Sequence, residues 1–413
     1  MADCDCDSHQ ETLKSLEEAL GFLLAQARPV PETELVTLEQ ALGRVLAMPL
    51  HSRVDVPPWD NSAMDGYAVA NRDLQAGASL HVAQRIPAGT VGGRLQPGTA
   101  ARIFTGAPVP LGADAVVIQE VCEVLGGQVI LKEIPKPGAN IRKAGEDILQ
   151  GEEILASGTR LAPQHLGLAA SVGISELTVY RPLRVAILSS GDELVAPGGE
   201  LEPGQIYNSN SYTLGGLVAR MGCQVVQLGV VEDTLEATCE ALNRGAETAD
   251  LILASGGVSV GEEDHVKSAV ERLGSLDLWK VAVRPGKPVA FGWVGETPFL
   301  GAPGNPVSLF ITFTLFARPF ILRMQGVEQN YLPMTIKAIA GFQKTGSDKR
   351  QEYARGRLET DEAGRSVVKL YANRSSGVLS SVAWANGLAV LPPMTLIEQG
   401  DSIDFILFSE LLS

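Results

Sequence analysis

The sequence lacks a long apolar run, a secretory leader and a regular pattern of cysteines. No stretch approaches the roughly 18 consecutive apolar residues that a membrane-spanning helix needs. The N-terminal sequence MADCDCDSHQ carries acidic residues where a secretory signal carries lysines. The cysteines are odd in number and unpatterned in spacing, which favours reduced thiols: Cys4, Cys6, Cys122, Cys223 and Cys239. These absences predict a cytoplasmic protein.

Positive charge is also scarce. The chain has 33 Lys and Arg against 48 Asp and Glu, a net charge of −15. A surface of this sign repels polyanions, so nucleic acid and anionic membranes are not expected as partners. A small anionic ligand can bind only where basic side chains are gathered locally. Cys4, Cys6 and His9 could form a metal clip, but the CxC has no second pair and an acidic tail is the favoured interpretation.

The length of 413 residues, with 45% hydrophobic and 20% charged residues, is typical of a packed multidomain protein. Residues 10–50 and 151–181 are predicted to form a discontinuous helical N-terminal domain. Apolar spacing over residues 11–27 predicts one helix, and a capping-box pattern at Thr37 predicts a second. Residues 51–150 alternate short β-prone runs with Gly and Pro turns, which indicates an inserted β-rich domain.

Residues 182–328 change to a regular alternation of strand and helix. The runs RVAILSS, CQVVQLGVV, DLILASG, PVAFGWV and PFLGAPG are predicted strands, and a long apolar helix closes the series. This order predicts a doubly wound α/β domain, with a parallel sheet covered on both faces. Residues 329–413 return to short β-prone runs and are predicted to form a C-terminal β domain.

Polar side chains follow each predicted strand of the α/β domain, where ligands bind in such sheets. Glu193 follows the first strand, Asp233 follows the second, and the third leads into the loop 255–261 and then Asp264. Carboxylates at three strand ends predict a Mg²⁺ site. The alternative for Asp264 and its acidic neighbours is that they complement the dipole of the next helix.

The loop SGGVSVG has the properties of an anion cradle, because its glycines allow close approach and its serines donate hydrogen bonds. The candidate binding residues in this loop are Ser255, Gly256, Gly257, Ser259 and Gly261. A later turn, GAPGNP, also stands at a predicted helix start, and its candidates are Pro303 and Asn305. A Gly-rich strand-to-helix turn is a weak signal alone, because many such turns serve packing.

A basic cluster stands out in the acidic chain. Lys280, Arg284 and Lys287 lie within eight residues. If strand alternation holds, Lys280 and Arg284 share a face. Such a pair suits phosphates or an oxyanion, which Arg can bind through two hydrogen bonds. A solvated strand edge is the alternative.

The sequence resembles the molybdopterin molybdenumtransferases, a family that includes MoeA-like proteins and the C-terminal domain of gephyrin. The motifs that carry the resemblance occur in the family's order: PPWDNSAMDGYA (57–68), IFTGAPVP (103–110), NIRKAGED (140–147), GDEL (191–194), SGGVSVGEED (255–264), RPGKP (284–288) and GAPGNP (301–306). They extend over most of the chain after about residue 10. Arg284 stands where this family usually has Lys, a change that preserves charge.

The resemblance implies a protomer of four parts, the last being β-barrel-like, and a homodimer. Its site would lie between the α/β domain of one subunit and the inserted domain of the other. By similarity the functional positions are Asp60, Thr105, Arg142, Asp147, Glu193, Asp233, Asp264, Lys280 and Arg284. Asp65 with Gly66 is interpreted as a turn, His265 as structural, and Ser380 or Ser381 as a looser match to a functional serine.

The activity implied by the resemblance is insertion of molybdate into adenylyl-molybdopterin, with Mg²⁺ as cofactor and release of AMP. A second copy of the chain is the expected partner, together with a molybdopterin adenylyltransferase and cofactor-delivery proteins. Two alternatives stay open. One is adenylylation of molybdopterin, although the extra β domains speak against it. The other is a non-catalytic scaffold like gephyrin, although the carboxylate set is intact.

Overall fold

The computed structural model of the chain describes residues 13–75, 77–256, 265–286, 288–329, 331–346 and 348–412. Several predicted site residues lie outside the described residues: Gly257, Ser259, Gly261, Asp264 and Lys287. The Cys4–Cys6 pair and His9 also lie outside them. The outcome of these predictions therefore stays open.

Secondary structure changes at the borders of the four predicted regions, which are named here the first, inserted, α/β and C-terminal domains. Within the described residues, the first domain, which was predicted to be helical, has four short strands besides two α-helices. The first segment of the first domain has α1 (Leu16–Gln26), β1 (Thr33–Thr37) and β2 (Leu50–His51). The inserted domain has β3 (Asn61–Ser62), β4 (Gly66–Val69), β5 (Ser79–Ile86), β6 (Thr99–Ile103), β7 (Ala115–Ile118), β8 (Cys122–Leu125), β9 (Gln128–Leu131) and β10 (Ile141–Arg142). The second segment of the first domain has β11 (Glu153–Leu155), α2 (Pro163–Ser171) and β12 (Glu176–Tyr180).

The second half of the chain continues this numbering. The α/β domain has β13 (Arg184–Ser190), β14 (Leu194–Val195), β15 (Ile206–Tyr207), α3 (Asn210–Arg220), β16 (Gln224–Val231), α4 (Leu235–Thr248), β17 (Leu251–Ser255), α5 (His265–Leu273), β18 (Gly274–Lys280), β19 (Val283–Arg284), β20 (Pro288–Val294), β21 (Thr297–Ala302), α6 (Pro306–Thr312) and α7 (Arg318–Met324). The C-terminal domain has β22 (Ile336–Ala340), β23 (Gln351–Thr360), β24 (Ser366–Leu370), α8 (Ser380–Trp384), β25 (Gly387–Leu391), β26 (Ser402–Leu407) and α9 (Phe408–Leu411).

The first domain is built from two segments that are distant in sequence. β1 pairs antiparallel with β12, and β2 pairs with β11. The first predicted helix is confirmed as α1, whose N-terminus carries a capping box between Ser15 and Glu18. The helix predicted from Thr37 is wrong. Thr37 ends β1 and makes no side-chain cap, and only a 3-10 turn follows before Gly43 adopts φ +76°.

The α/β domain contains a six-stranded sheet in the order β16-β13-β17-β21-β20-β18. The first four strands are parallel, as predicted, whereas β20 and β18 continue the sheet in antiparallel pairs. Both faces are buried. Along β13, Val185 and Ile187 pack into the core on the α3 side, while Ala186 and Leu188 pack into the core on the α4 side.

The long apolar helix that closes the α/β domain is interrupted by a π-helical turn, Phe313–Ala317. Among the described residues, Pro306–Met324 is the one helix long and apolar enough to cross a membrane, contrary to the expectation from sequence. However, 94% of this window is buried inside the protein. The helix therefore serves here as the centre of a core that also includes Leu20 and Leu23 of α1.

The two β-rich domains have different sheets. The inserted domain has a six-stranded sheet in the order β7-β4-β6-β5-β9-β8, and β3 pairs separately with β10. In the C-terminal domain, β23, β24, β22, β26 and β25 pair in turn, and β25 pairs back with β23. This closes a five-stranded barrel, to which β19 of the α/β domain adds a parallel strand beside β23.

Candidate active site

The parallel strands of the α/β domain bring the predicted loops to one edge of the sheet. Ser190 ends β13, Ser255 ends β17 and Ala302 ends β21, and these strands are neighbours. The loops are joined directly, because the Gly256 N–H donates to the Ala302 carbonyl at 3.1 Å. Asn210 at the start of α3 joins them again by donating to Ser255 Oγ at 2.9 Å and to the Gly304 carbonyl at 2.7 Å.

The predicted carboxylates lie at this edge. Ser190 Oγ donates to Asp233 Oδ1 at 3.3 Å, and the Asp233 N–H donates to Asp192 Oδ1 at 3.3 Å. Glu193 is exposed, and its carboxylate lies against Gly191, where a Cβ would come within 2.6 Å of Glu193 Oε2. Since Gly191 also has φ +148°, this packing requires glycine.

The carboxylate edge opens into a cavity of about 1120 Å³ between the α/β domain and the C-terminal domain. Six predicted site residues line it: Glu193, Ser255, Gly256, Arg284, Pro303 and Asn305. Asn210 also lines it, and the buried Asn210 Oδ1 has no hydrogen-bond partner among the described residues. On its α/β side the cavity therefore presents the Glu193 carboxylate and several hydroxyl groups, with an unpaired amide oxygen buried behind them.

The opposite wall of the cavity is basic and comes from the C-terminal domain. Arg350 and Arg374 line it together with Arg284, and all three also line an adjoining cavity of about 680 Å³. Asp348 accepts from Arg350 Nε at 3.1 Å and Nη2 at 3.0 Å, and from Arg284 Nη1 at 3.2 Å. These hydrogen bonds hold the pKa of Asp348 well below its ordinary value, and the largest contribution comes from Arg350. Arg374 forms an ion pair with the buried Glu352.

Sequence reasoning missed this basic wall. Arg350 and Arg374 are far apart in sequence and come from β-rich segments without a recognised motif. The signals available were the charged run Asp348-Lys349-Arg350 and the polar turn Asn373–Ser376, whose Ser375 and Ser376 also line the cavity. Neither signal indicates a ligand in the sequence alone. Their position at the cavity follows only from the folded barrel, which brings both segments to the same cavity as Arg284 of β19.

The structure separates Lys280 from Arg284. Lys280 ends β18, whereas Arg284 belongs to β19, which pairs with the C-terminal barrel. The prediction that the two side chains share one strand face is therefore wrong, because the chain changes sheet between them. Lys280 nevertheless pairs in register with Pro288, a residue that lines the cavity.

The predicted residues of the inserted domain form a group of their own around β3. The Asp60 carboxylate accepts from Lys143 Nζ at 2.7 Å and from the Ala144 N–H at 2.9 Å, which lowers its pKa. Pairing of β3 with β10 brings Arg142 beside Asn61. Asp60, Arg142 and Lys143 thus come together, although Lys143 was not among the predicted site residues.

Thr105 and Asp147 complete the neighbourhood of β3. Thr105 N–H and Oγ1 both donate to Asp65 Oδ1 at 2.8 Å, which lowers the pKa of Asp65. Asp65 therefore anchors Thr105, a role that the turn interpretation did not include. Asp147 is exposed, and its N–H donates to the Val56 carbonyl at 2.9 Å. Asp60, Thr105, Arg142 and Asp147 are not among the residues that line the 1120 Å³ cavity of their own chain.

A doubly wound domain, a carboxylate edge and two flanking β domains together define a multidomain α/β protein with a ligand-sized cavity at the edge of its parallel strands. Three family models match in order: the MoeA N-terminal region (domains I and II) over residues 14–173, a probable molybdopterin binding domain over 186–323, and the MoeA C-terminal region (domain IV) over 337–408. The chain belongs to the molybdopterin molybdenumtransferase, or MoeA, family.

Individual relatives agree with this assignment. A molybdopterin molybdenumtransferase of Haemophilus influenzae is 39% identical over 379 residues, covering 91% of this chain and 94% of the relative. One from a Nostoc species is 38% identical over 383 residues, covering 90% and 88%. The crystal structure of a molybdopterin biosynthesis MoeA protein from Pyrococcus horikoshii superposes with a TM-score of 0.81 at 30% identity, covering 96% of this chain and 100% of that one.

Proposed function

We propose that this chain inserts molybdate into adenylyl-molybdopterin and releases AMP, as a Mg²⁺-dependent cytoplasmic homodimer. The observation that carries the proposal is the 1120 Å³ cavity, which places the carboxylate edge opposite three arginines. A reaction that joins an anionic pterin to an oxyanion needs cationic groups for both and a way to activate the phosphoanhydride. The relatives described above carry the name of this activity.

The α/β wall suits the pterin phosphate. The Ser255 hydroxyl can donate a hydrogen bond to a phosphate oxygen. Gly256, at φ +85°, lets a ligand approach the backbone closely. Asn210 holds the two loops together, and its buried Oδ1 is an acceptor without a partner among the described residues. These groups would fix the orientation of the substrate against the carboxylate edge.

The basic wall suits molybdate. Each guanidinium group has five N–H donors, so Arg284 and Arg350 keep donors for an oxyanion beyond those that Asp348 accepts. Arg374 adds positive charge to the same wall while it pairs with Glu352. Asp348 holds Arg284 and Arg350 side by side before any ligand arrives. The site is thus organised in advance, which reduces the entropy lost on binding.

Glu193 and Asp233 would hold Mg²⁺, with the Ser190 hydroxyl beside Asp233. The donor set fits, because Mg²⁺ prefers a few carboxylate oxygens together with phosphate oxygens and water. When bound, the ion supplies Lewis-acid polarisation of a phosphoanhydride oxygen. Among the described residues no group of three His, Cys, Asp or Glu side chains forms a metal site, so substrate oxygens would have to complete this one.

The predicted residues of the inserted domain would act in the cavity of a second subunit. Asp60, Thr105, Arg142 and Asp147 come together around β3, but they do not line the cavity of their own chain. In a two-fold dimer, each chain can supply this group to its partner's cavity, which gives two composite sites.

The test supplies the full-length protein with adenylyl-molybdopterin, molybdate and MgCl₂, and measures AMP together with active cofactor. Equal molar release of AMP and cofactor supports the proposal. In a separate incubation with ATP and molybdopterin, transfer of AMP onto the pterin would instead identify an adenylyltransferase. Absence of turnover in a folded dimer would favour a scaffold. An EDTA-treated sample, with and without added Mg²⁺, checks the metal dependence.

A further inference from the structure

A second cavity, of about 1040 Å³, lies away from the candidate active site. It forms where the first domain, α3 and α7 meet, and none of its lining residues also lines the 1120 Å³ cavity. Three arginines line it, Arg160, Arg220 and Arg318, together with His165. Such a concentration of positive charge needs an explanation in a chain whose net charge is −15.

The charges of these arginines are poorly compensated. Among the described residues, no carboxylate lies within 4.0 Å of the guanidinium nitrogens of Arg160, Arg220 or Arg318. Burial lowers the pKa of Arg160 and Arg318, and repulsion between the two arginines lowers that of Arg318 further. The nearby acids are Glu328, which lines the cavity, and Glu410, which raises the pKa of Arg318.

Arg318 is only 5% exposed, and its hydrogen bonds go to neutral carbonyls. Its Nη1 donates to the Tyr331 carbonyl and its Nη2 to the Glu410 carbonyl, both at 2.9 Å. The buried Nε has no partner among the described residues. These bonds explain how the side chain is held beside α9, but they do not neutralise its charge, and a buried charge without a counter-charge is costly.

The other two arginines leave donors available to a ligand. Arg220 Nε donates to the Leu412 carbonyl at 2.8 Å and Arg160 Nε to the Gly43 carbonyl at 3.4 Å, so the Nη groups of both make no hydrogen bond within the described residues. His165 Nδ1 accepts from the Ala162 N–H at 3.1 Å, which places the proton of a neutral ring on Nε2.

We propose that this cavity is a binding site for a doubly charged tetrahedral oxyanion, either free or as the phosphate of a small molecule. Arg160 and Arg220 would donate to its oxygens, and the buried charge of Arg318 would attract it. The ligand would tie the first domain to the α/β domain, because Arg160 belongs to the first domain whereas Arg220 and Arg318 belong to the α/β domain. Arg318 also connects the site to α9 through its hydrogen bond to the Glu410 carbonyl. The proposal is independent of the function assigned to the active-site cavity.

Calorimetric titrations of the full-length protein would test the proposal with three probes: sodium phosphate, AMP and sodium molybdate, at constant ionic strength. An Arg284→Gln/Arg350→Gln background weakens anion binding by the basic wall of the active-site cavity. In that background, saturable binding of at least one probe is expected. If phosphate and AMP both bind, the cavity is a phosphate site. If molybdate binds more tightly than phosphate and AMP, the cavity is a second site for the metal oxyanion.

Arg220→Gln, an exposed position on α3, should weaken this binding about tenfold, as expected for the loss of one charge-assisted hydrogen bond. Arg160→Gln should act in the same direction. Arg244→Gln, on the exposed surface of α4, is the matched control and should leave binding unchanged. Circular dichroism checks the fold of each variant.

Two results would overturn the proposal. The first is saturable binding that neither Arg160→Gln nor Arg220→Gln weakens. The second is that no probe binds at concentrations up to about 10 mM, since a dissociation constant above this value would be too weak for a specific site. If, in that case, Arg220→Gln also changes the sedimentation of the protein, a carboxylate of a second copy fills the cavity instead of a free anion.

Discussion

The two edges of the α/β sheet carry carboxylates in opposite chemical situations. At the amino edge, Asp250 precedes β17 and accepts from Arg181 at 2.7 and 2.8 Å and from the Arg184 N–H at 2.8 Å. At the carboxyl edge, the exposed Glu193 makes no hydrogen bond or ion pair through its side chain within the described residues. The Asp233 carboxylate accepts one hydrogen bond, from the Ser190 hydroxyl at 3.3 Å.

The difference separates carboxylates that hold the fold together from those that are left for a ligand. Asp250 joins the first domain to the α/β domain through Arg181, which also contacts Glu32 at 3.2 Å. Glu193 and Asp233 gain little from the fold, because neither carboxylate is paired with a cation among the residues that the structure describes. Substitutions at the two edges should therefore affect different properties, stability at one and turnover at the other.

The largest expected effect belongs to Glu193→Gln. This change removes a negative charge from the carboxylate edge and should reduce AMP release by about 100-fold or more, the range found when a catalytic electrostatic group is lost. The free energy of unfolding should hardly change, since the side chain is exposed and unpaired. A coupled assay of AMP release and a urea titration measure the two properties.

Glu202→Gln is the matched control for this prediction. Glu202 is exposed on the same side of the chain's α/β domain, in the loop between β14 and β15, and it does not line the cavity. It should retain full activity. Near-normal turnover by folded Glu193→Gln would contradict the assignment of the carboxyl edge as the catalytic edge.

The shared site predicts a recovery of activity when two inactive proteins are mixed. Asp60→Asn and Glu193→Gln should each be inactive, but after subunit exchange the mixed dimer has one site with both lesions and one with neither. Random exchange makes about half of the dimers mixed, so about a quarter of the wild-type activity should return. AMP release before and after exchange measures the recovery.

The control carries Asp60→Asn in both partners of the exchange and should stay inactive. Mass spectrometry of tagged chains establishes that exchange has occurred. Confirmed exchange without recovered activity would mean that Asp60 and Glu193 of the same chain serve one site. That result would leave the family assignment untouched.

The sequence predicted the carboxyl edge well because strand pairing is a strong constraint. Buried runs such as RVAILSS can only form central strands, and parallel strands bring their following loops to one edge. Glu193, Asp233, Ser255 and Asn305 were therefore placed near one another correctly from pattern alone. The three inserted-domain motifs added the inserted-domain positions only through resemblance to a family.

The basic wall could not be predicted in the same way. Arg350 and Arg374 reach the cavity because a closed barrel places β23 beside β19, a contact between domains that local pattern does not encode. The same contact explains why Lys280 and Arg284 do not share one strand face, because they belong to different strands. The Thr37 helix failed for a related reason: pairing with β12 outweighed a local capping pattern.

A smaller effect is expected at Arg284, which faces the carboxylate edge across the cavity. Arg284→Gln should raise the molybdate concentration for half-maximal activity about tenfold, because it removes one charged donor. Arg284→Lys should stay within about threefold, since charge is kept and only the planar donor pair is lost. Steady-state kinetics with varied molybdate measure both.

Arg357→Gln is the matched control, because Arg357 is similarly exposed (49% against 44%) and also lies near one carboxylate. It belongs to the far part of β23 and does not line the cavity. Equal changes in Arg284→Gln and Arg357→Gln would show that the effect comes from overall charge. The basic wall would then lose its role in binding molybdate.

The last effect concerns stability at the amino edge. Although burial alone raises the pKa of Asp250, hydrogen bonds from Arg181 and Arg184 lower it from 3.8 to about 2. A lowered folded-state pKa stabilises the protein at pH values above the unfolded pKa. This stabilisation, about 2 kcal/mol, is fully present at pH 7 and is lost as the pH falls from about 4 towards 2.

Asp250→Asn should therefore lower the free energy of the first unfolding transition in urea at pH 7, and the difference from wild type should shrink between pH 4 and pH 2. Asp404→Asn, which breaks an exposed pair with Lys337 at 2.8 Å, should change it by about 1 kcal/mol or less. Turnover at pH 7 should be nearly normal in folded Asp250→Asn, because Asp250 does not line the 1120 Å³ cavity. A loss of turnover as large as that of Glu193→Gln, without a loss of stability, would abolish the distinction between the two edges of the sheet.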